Sequence, residues 1–196
     1  TGHTGFTGTW IVHILLLLGS QVYGVSLHKN INSSIFKRSN AKVKQSYFDL
    51  CNQKKTKRLI KKIKPDIIFH LAAQSIIKSG IDKTYETYKT NFLGTLNVLE
   101  SIENFEKKIT LIVSTTDKVY LNQEKNIAFK EEDKLGAQDP YSTSKVIQDI
   151  LSMSYFKNKM EKKKNFSLGI VRAGNIIGGG DMNKYRLIPD IIKYFY

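Results

Sequence analysis

The chain has 196 residues, 41% of them hydrophobic, enough for one sizeable core, and carries a formal charge of +14. Lys supplies all but four of its 31 basic residues, the exceptions being Arg38, Arg58, Arg172 and Arg186, so the charge reads as a Lys-dense solvated surface that favours an anionic small molecule over nucleic acid. The single cysteine, Cys51, excludes an internal disulfide and a cysteine-cluster zinc site and suits a reducing, cytoplasmic setting; the longest apolar run, Ile14 to Leu18, is too short to span a bilayer. No metal site and no membrane partner are expected, although a chain that opens on Thr1 leaves a targeting segment upstream open.

The first eight residues, TGHTGFTG, place Gly2, Gly5 and Gly8 in a G-x-x-G-x-x-G turn. Missing side chains there let the backbone approach a pyrophosphate, and the following helix N-terminus offers N–H donors. A plain glycine-rich turn between strand and helix has the same composition. Next comes a helix over Trp10–Leu18, stopped by Gly19, then strands over Val22–Leu27 and Gln45–Phe48. A basic amphipathic helix over Lys54–Ile63 is broken by Pro65, and a buried strand follows in DIIFHLAA from Asp66. Tyr85–Glu103 is a helix, TLIVST from Thr110 a strand, Tyr141 to about Lys159 a helix, and Phe166–Arg172 the last clear strand. The charge run Lys159–Asn165 reads as an exposed loop. Short apolar strands alternating with longer amphipathic stretches predict βαβ units, hence an α/β, Rossmann-like doubly wound parallel sheet. In the 3-2-1-4-5-6 strand order the strand before the glycine turn is central. The expectation is therefore a sheet with its first strand missing at the N-terminus, unstable as residues 1–196 alone, because its neighbours would have unpaired edges. Residues 1–175 would form the dinucleotide-binding domain and 176–196 the start of a substrate-binding region.

Two further stretches carry chemistry. In DPYSTSK, Asp139 is a good N-cap and Pro140 suits the first helical position, which sets Tyr141 and Lys145 one turn apart on one helix face. An ammonium beside a phenol favours the phenolate and makes it a usable base. In STTDKVY, Ser114 to Tyr120, a hydroxyl, a carboxylate and an ammonium follow in Thr116, Asp117 and Lys118 at the C-terminal end of a strand, where open α/β sheets bind ligands. A Tyr–Lys pair also arises by chance, and polar residues end many strands. Turn, strand end and Tyr–Lys helix nevertheless fall in the order one active site requires.

Together these motifs resemble the extended short-chain dehydrogenase/reductase family, in its NAD-dependent epimerase/dehydratase group. The segments TGHTGFTG, FHLAAQ, TDKVY, LGAQDPYSTSK, RAGNIIGGGD and RLIPD are similar to the CDP-glucose 4,6-dehydratase branch along nearly the whole chain. The resemblance implies that Tyr141 takes the proton of a sugar 4-hydroxyl, helped by Lys145 and Thr116, while hydride passes to a nicotinamide. Water then leaves across C5 and C6 with Asp117 as acid and Lys118 as candidate base, and hydride returns to C6. It also implies that Gly2, Gly5, Phe6 and Gly8 hold the pyrophosphate of NAD, and that Asp49 and Leu50 lie at the adenine. Leu71, Ala72, Ala73, Gln74, Asn91, Tyr141 and Lys145 would complete the cofactor site, and Asn175 and Arg186 would meet a nucleotide-sugar substrate in a homodimer or homotetramer. A polar residue after a strand, such as Asn175, is also common as a turn cap.

Some positions depart from the family pattern. Gln74 is followed by Ser75, Ile76, Ile77 and Lys78 where Pro-Leu-Val-Arg is usual, and Lys lacks the two-pronged guanidinium. Gly80 and Ile81 replace Ser-Tyr, and Met182 replaces a Trp. The second strand ends in VSLHKN with no acid for the ribose hydroxyls, and His28 and Lys29 do not form a phosphate clamp, so NAD is expected and NADP stays open. Three functional classes follow: a nucleotide-sugar 4,6-dehydratase for CDP-glucose or UDP-N-acetylglucosamine, a nucleotide-sugar epimerase or dehydrogenase, and a non-catalytic NAD(P)-binding module.

Overall fold

The computed structural model describes residues 1–27, 43–124, 128–181 and 183–195. His28, Lys29, Asn30 and Met182, on which part of the cofactor and substrate reading rests, lie outside the described residues. Contacts divide the chain into two compact units, one of Thr1–Asp49 with Asn175–Tyr196 and one of Leu50–Gly174.

In the first unit the glycine turn is tied to a strand and feeds a helix. Gly2 has a left-handed φ of 71° and donates its N–H to the Val25 carbonyl at 2.7 Å, and Gly5 N–H closes the turn on the Gly2 carbonyl at 3.0 Å. Helix α1 (Phe6–Leu17) begins at once, four residues before the expected Trp10. Gly8 with Thr7 and Thr9 masks its first turn in the sequence, since all three are poor helix formers. Thr9 is held there by donating its hydroxyl to the Gly5 carbonyl at 2.8 Å. Strands β1 (Tyr23–Ser26) and β2 (Lys44–Tyr47) pair in parallel, Tyr23 opposite Lys44 and Ser26 opposite Tyr47. His3 is buried beside them, with Nδ1 2.9 Å from Ser26 Oγ and Nε2 3.3 Å from Gln45 Oε1.

The second unit holds α2 (Gln53–Ile63), β3 (Ile67–His70), α3 (Ile77–Asp82), α4 (Thr84–Ile102) and β4 (Ile109–Ser114). A 3-10 turn (Asp117–Val119), α5 (Pro140–Tyr155), a wide π turn (Phe156–Met160) and β5 (Phe166–Val171) complete it. Local chemistry starts the helices. Asn52 caps α2 by accepting Lys55 N–H at 3.0 Å, and Lys64 ends it in a left-handed conformation. The helix expected to run to about Lys159 loosens into the π turn after Tyr155, so its last turn is wider than the periodicity implied. The three strands lie in the order β3-β4-β5, all parallel, with His70 opposite Val113 and Ser114 opposite Val171. Ile68, Leu111, Val113 and Phe166 from the sheet pack with Ile60, Val98, Leu99, Ile102 and Met160 in one core. The fold is the expected α/β class of Rossmann-like parallel sheet. A final helix, α6 (Leu187–Phe195), belongs to the first unit. Neither α3 nor α6 was foreseen, α3 because six residues containing a glycine carry too little periodicity. Among the described residues no helix is long and apolar enough to cross a membrane.

Candidate active site

The glycine turn of the first unit has the form a dinucleotide pyrophosphate needs. An α-helix leaves its first N–H groups without intrahelical partners, and Gly5, the N-cap of α1, has no side chain to meet them. A Cβ at Gly8 would stand 2.1 Å from the Gly2 carbonyl oxygen and 2.9 Å from His3 Cα, so only glycine lets the turn close. Overpacking of this kind costs about 1–3 kcal/mol. Gly8→Ala should therefore weaken dinucleotide binding about tenfold or more in equilibrium dialysis, since each 1.4 kcal/mol is tenfold; unchanged affinity would remove the turn from the site. Phe6 packs in the same unit against Gly178, where a Cβ would lie 3.2 Å from its ring. Asp49 and Asn175 are exposed, and Arg186 is half-buried with its carbonyl accepting Asp190 N–H at 2.9 Å.

The second unit brings the other group together. After β3, Leu71, Ala72, Ala73 and Gln74 form a half-buried loop clamped by Asn91. Asn91 is completely buried on α4; its Oδ1 accepts Gln74 N–H at 2.8 Å, and its Nδ2 donates to the Gln74 carbonyl at 3.0 Å and to Ser144 Oγ at 2.7 Å. Gln74 in turn donates from Nε2 to Thr87 Oγ1 at 2.9 Å. Leu50 is buried, its carbonyl accepting from Thr56 Oγ1 and Asn97 Nδ2.

Helix α5 starts as its sequence requires. Asp139 accepts Ser142 N–H at 3.0 Å and Pro140 takes the first position. Gly80 of α3 backs onto Tyr141, where a Cβ would lie 3.2 Å from both Tyr141 N and Cβ; the departure from the family's Ser is thus a close approach of α3 to this residue. Lys145 is buried, and its Nζ donates to the Ser114 carbonyl at the end of β4 at 2.9 Å and to Gln148 Oε1 at 2.8 Å. Burial disfavours its charge and pulls its pKa down to about 7.

At the end of β4, the Asp117 N–H donates to the Ala173 carbonyl at 3.0 Å, pinning the turn to the segment after β5. Thr116 is buried, donates its hydroxyl to Asp117 Oδ1 at 3.0 Å and accepts Lys118 N–H at 3.4 Å. Lys118 Nζ stands 3.6 Å from Asp117 Oδ1, with Asp117 exposed and Lys118 half-buried. Thr116, Asp117 and Lys118 thus form one hydrogen-bonded turn, which packs against α5, the helix of Tyr141 and Lys145. Lys78, the replacement for the family's Arg, lies about half-exposed on α3, 3.0 Å from Asp82, a surface pair of small energetic consequence. Among the described residues no group of three or more His, Cys, Asp or Glu could hold a metal.

Sequence reasoning missed three supports of this site. Gln148 lies three residues beyond Lys145, on the same helix face, a spacing that was available as a signal. Asp149, 1% exposed, receives a two-pronged contact from Arg172 Nε and Nη2 at 2.8 and 3.0 Å, joining α5 to the end of β5. Gly80 had no signal beyond its departure from the family pattern.

Comparison with known proteins places this arrangement. The chain is 37% identical over 202 aligned residues to the CDP-glucose 4,6-dehydratase of Salmonella typhimurium, covering 100% of this chain and 56% of that protein. It is 26% identical to the UDP-glucose 4-epimerase of Mycoplasma genitalium, covering 99% of this chain and 58% of that one. The chain thus spans less than two-thirds of the length of these curated relatives. Among solved structures, dTDP-glucose 4,6-dehydratase from Bacillus anthracis in complex with NAD superposes with a TM-score of 0.81 at 24% identity, over 99% of this chain and 59% of that one, a likeness of fold. A family model described as GDP-mannose 4,6 dehydratase matches residues 1–167, so the chain belongs to that family, within the extended short-chain dehydrogenase/reductases.

Proposed function

We propose that the protein is an NAD-dependent nucleotide-sugar 4,6-dehydratase, a lyase that converts CDP-glucose to CDP-4-keto-6-deoxyglucose. The observation that carries this reading is the Thr116-Asp117-Lys118 turn packed against the helix of Tyr141 and Lys145, because an acid–base pair beside the Tyr–Lys pair serves elimination. The similarity to a CDP-glucose 4,6-dehydratase over the whole chain supports the choice of nucleotide.

Gly2, Gly5, Phe6 and Gly8 would hold the pyrophosphate of NAD, Asp49 and Leu50 its adenine and the Leu71–Gln74 loop the rest of the cofactor, which when bound would supply transient hydride storage. Tyr141 as phenolate accepts the proton of the sugar 4-hydroxyl. Lys145 stabilises that phenolate, and its depressed pKa leaves it able to change protonation near neutrality. Thr116 orients the substrate oxygen and, through its bond to Asp117, the acid. Asp117 protonates the departing 6-hydroxyl. Lys118 removes the C5 proton once the 4-keto group has made it acidic, although an ammonium serves as a base only where its surroundings favour the neutral amine. Asn91 holds the cofactor loop from behind, and Asn175 and Arg186 bind the nucleotide sugar.

The second reading is a nucleotide-sugar 4-epimerase, favoured by the likeness to UDP-glucose 4-epimerases and by the Tyr–Lys pair, which that chemistry shares. It gives the Asp117–Lys118 pair no task. The deciding experiment offers the full-length protein a panel of CDP-, UDP-, dTDP- and GDP-hexoses. Formation of a 4-keto-6-deoxy product from CDP-glucose is the expected result. Inversion at C4 without loss of water would replace the dehydratase by the epimerase, and no turnover on any member would favour a non-catalytic binding module.

A further inference from the structure

Lys145 is anchored by a buried chain of neutral groups that none of the chemistry above uses. Its ammonium can only donate, so the Gln148 oxygen must face it, at 2.8 Å. The Gln148 amide nitrogen is thereby turned to Thr95 Oγ1 at 2.7 Å. The Thr95 hydroxyl hydrogen goes to the Asn91 carbonyl at 2.7 Å, so Thr95 accepts from Gln148 and also from His70 Nε2 at 3.0 Å. Each atom's role is set by its neighbour, and a flipped Gln148 amide would aim N–H groups at an ammonium. Gln148 and His70 are completely buried. Burial above all lowers the pKa of His70 to about 3 and keeps its ring neutral.

We propose that Gln148 is the positioning residue of Lys145, holding its ammonium against the end of β4 through a buried relay of neutral hydrogen bonds that reaches Thr95 and His70. This rests on the reading of Lys145 as part of the catalytic site. Two of the three N–H groups of Lys145 are directed by Ser114 and Gln148, which aims the third. Both acceptors are uncharged, so among the described residues the ammonium has dipoles but no counter-ion at contact distance. Among the described residues, the titratable and charged groups on the elements around it include His70 on β3, Tyr141 and Asp149 on α5, Asp117 and Lys118 on the turn after β4, and the exposed Lys78–Asp82 pair on α3. Asp149 is engaged by Arg172, and α4 presents the neutral Asn91 and Thr95. Removing the Gln148 oxygen therefore removes one of the two groups that favour the charged form of Lys145, and placing a carboxylate there does the reverse.

The test uses the full-length protein with Gln148→Met, Gln148→Glu and Thr95→Val. Gln148→Met should lower kcat about tenfold on the alkaline side of neutrality, the size of one hydrogen bond to a charged group, with KM little changed and with recovery toward acid pH. Gln148→Glu keeps an acceptor for Lys145 and should retain activity, with its alkaline limb moved to higher pH. Thr95→Val, which leaves the Gln148–Lys145 contact in place, should fall between the two. Titration of isotope-labelled lysine by NMR, with Lys145→Met identifying the signal, reads the same effect without turnover: Lys145 should titrate lower in Gln148→Met and higher in Gln148→Glu. Superimposable titrations and pH profiles in wild type and Gln148→Met, or a Gln148→Glu as impaired as Gln148→Met, would overturn the proposal. If the NMR shifts occur as stated but Lys145→Met remains fully active, the anchoring stands and the catalytic reading of Lys145 falls.

Discussion

Tyr141→Phe should slow the reaction by at least about a hundredfold, the low end for loss of a general acid–base group. The phenylalanine keeps the backbone and Cβ that lie against Gly80 at the start of α5, and Asp139 and Pro140 still form the helix start, so the fold should be unaffected. The loss should be in the first step of the proposed reaction, oxidation at C4, because that is where the phenolate would accept a proton. A single-turnover measurement of nicotinamide reduction by the bound sugar checks it. Wild-type reduction rates in Tyr141→Phe would remove Tyr141 from the chemistry.

Asp117→Asn should act later and separate two steps that wild type couples. Asn keeps the size of Asp117 and an oxygen for the Thr116 hydroxyl to donate to, but it cannot protonate a departing hydroxyl. Oxidation at C4 should survive while elimination stops, seen as a persistent absorbance of reduced nicotinamide and no 4-keto-6-deoxy product. Isotopes give the matching result in wild type. Substrate deuterated at C4 should yield product deuterated at C6, with the C5 position filled from solvent. Loss of the C4 label to solvent, or an Asp117→Asn as blocked in its first step as Tyr141→Phe, would replace the dehydratase by the epimerase or dehydrogenase reading.

Where fold and site were legible in the sequence, the cause is local chemistry. The Asp139 cap and Pro140 announce α5 because Asp139 accepts an N–H three residues on and Pro140 has no N–H to leave unpaired, and the cap is formed as expected. The apolar runs of β3, β4 and β5 are strand-length, send Ile68, Leu111, Val113 and Phe166 into the core, and pair in parallel as their alternation with helices implied. The start of α1 was misread because Gly8 and Thr9 have low helix propensity. What holds them in the helix is the close packing of Gly8 against Gly2 and the Thr9 hydroxyl on Gly5, which propensity does not express.

From the sequence alone come the α/β class, the order of the strands and of helices α1, α2, α4 and α5, the glycine turn, the Thr-Asp-Lys turn and the Tyr–Lys spacing, since each depends on residues a few positions apart. Tertiary structure alone decides what several of these groups are able to do. Asn91, grouped by resemblance with the cofactor residues, is completely buried and bridges the loop of Gln74 to Ser144, 53 positions further along the chain. Lys145 is a surface-type residue by composition, yet it is buried, anchored by the Ser114 carbonyl and Gln148, and brought down to about 7. Desolvation and long-range hydrogen bonds set these properties, and both arise only when segments distant in the chain exclude water from one another.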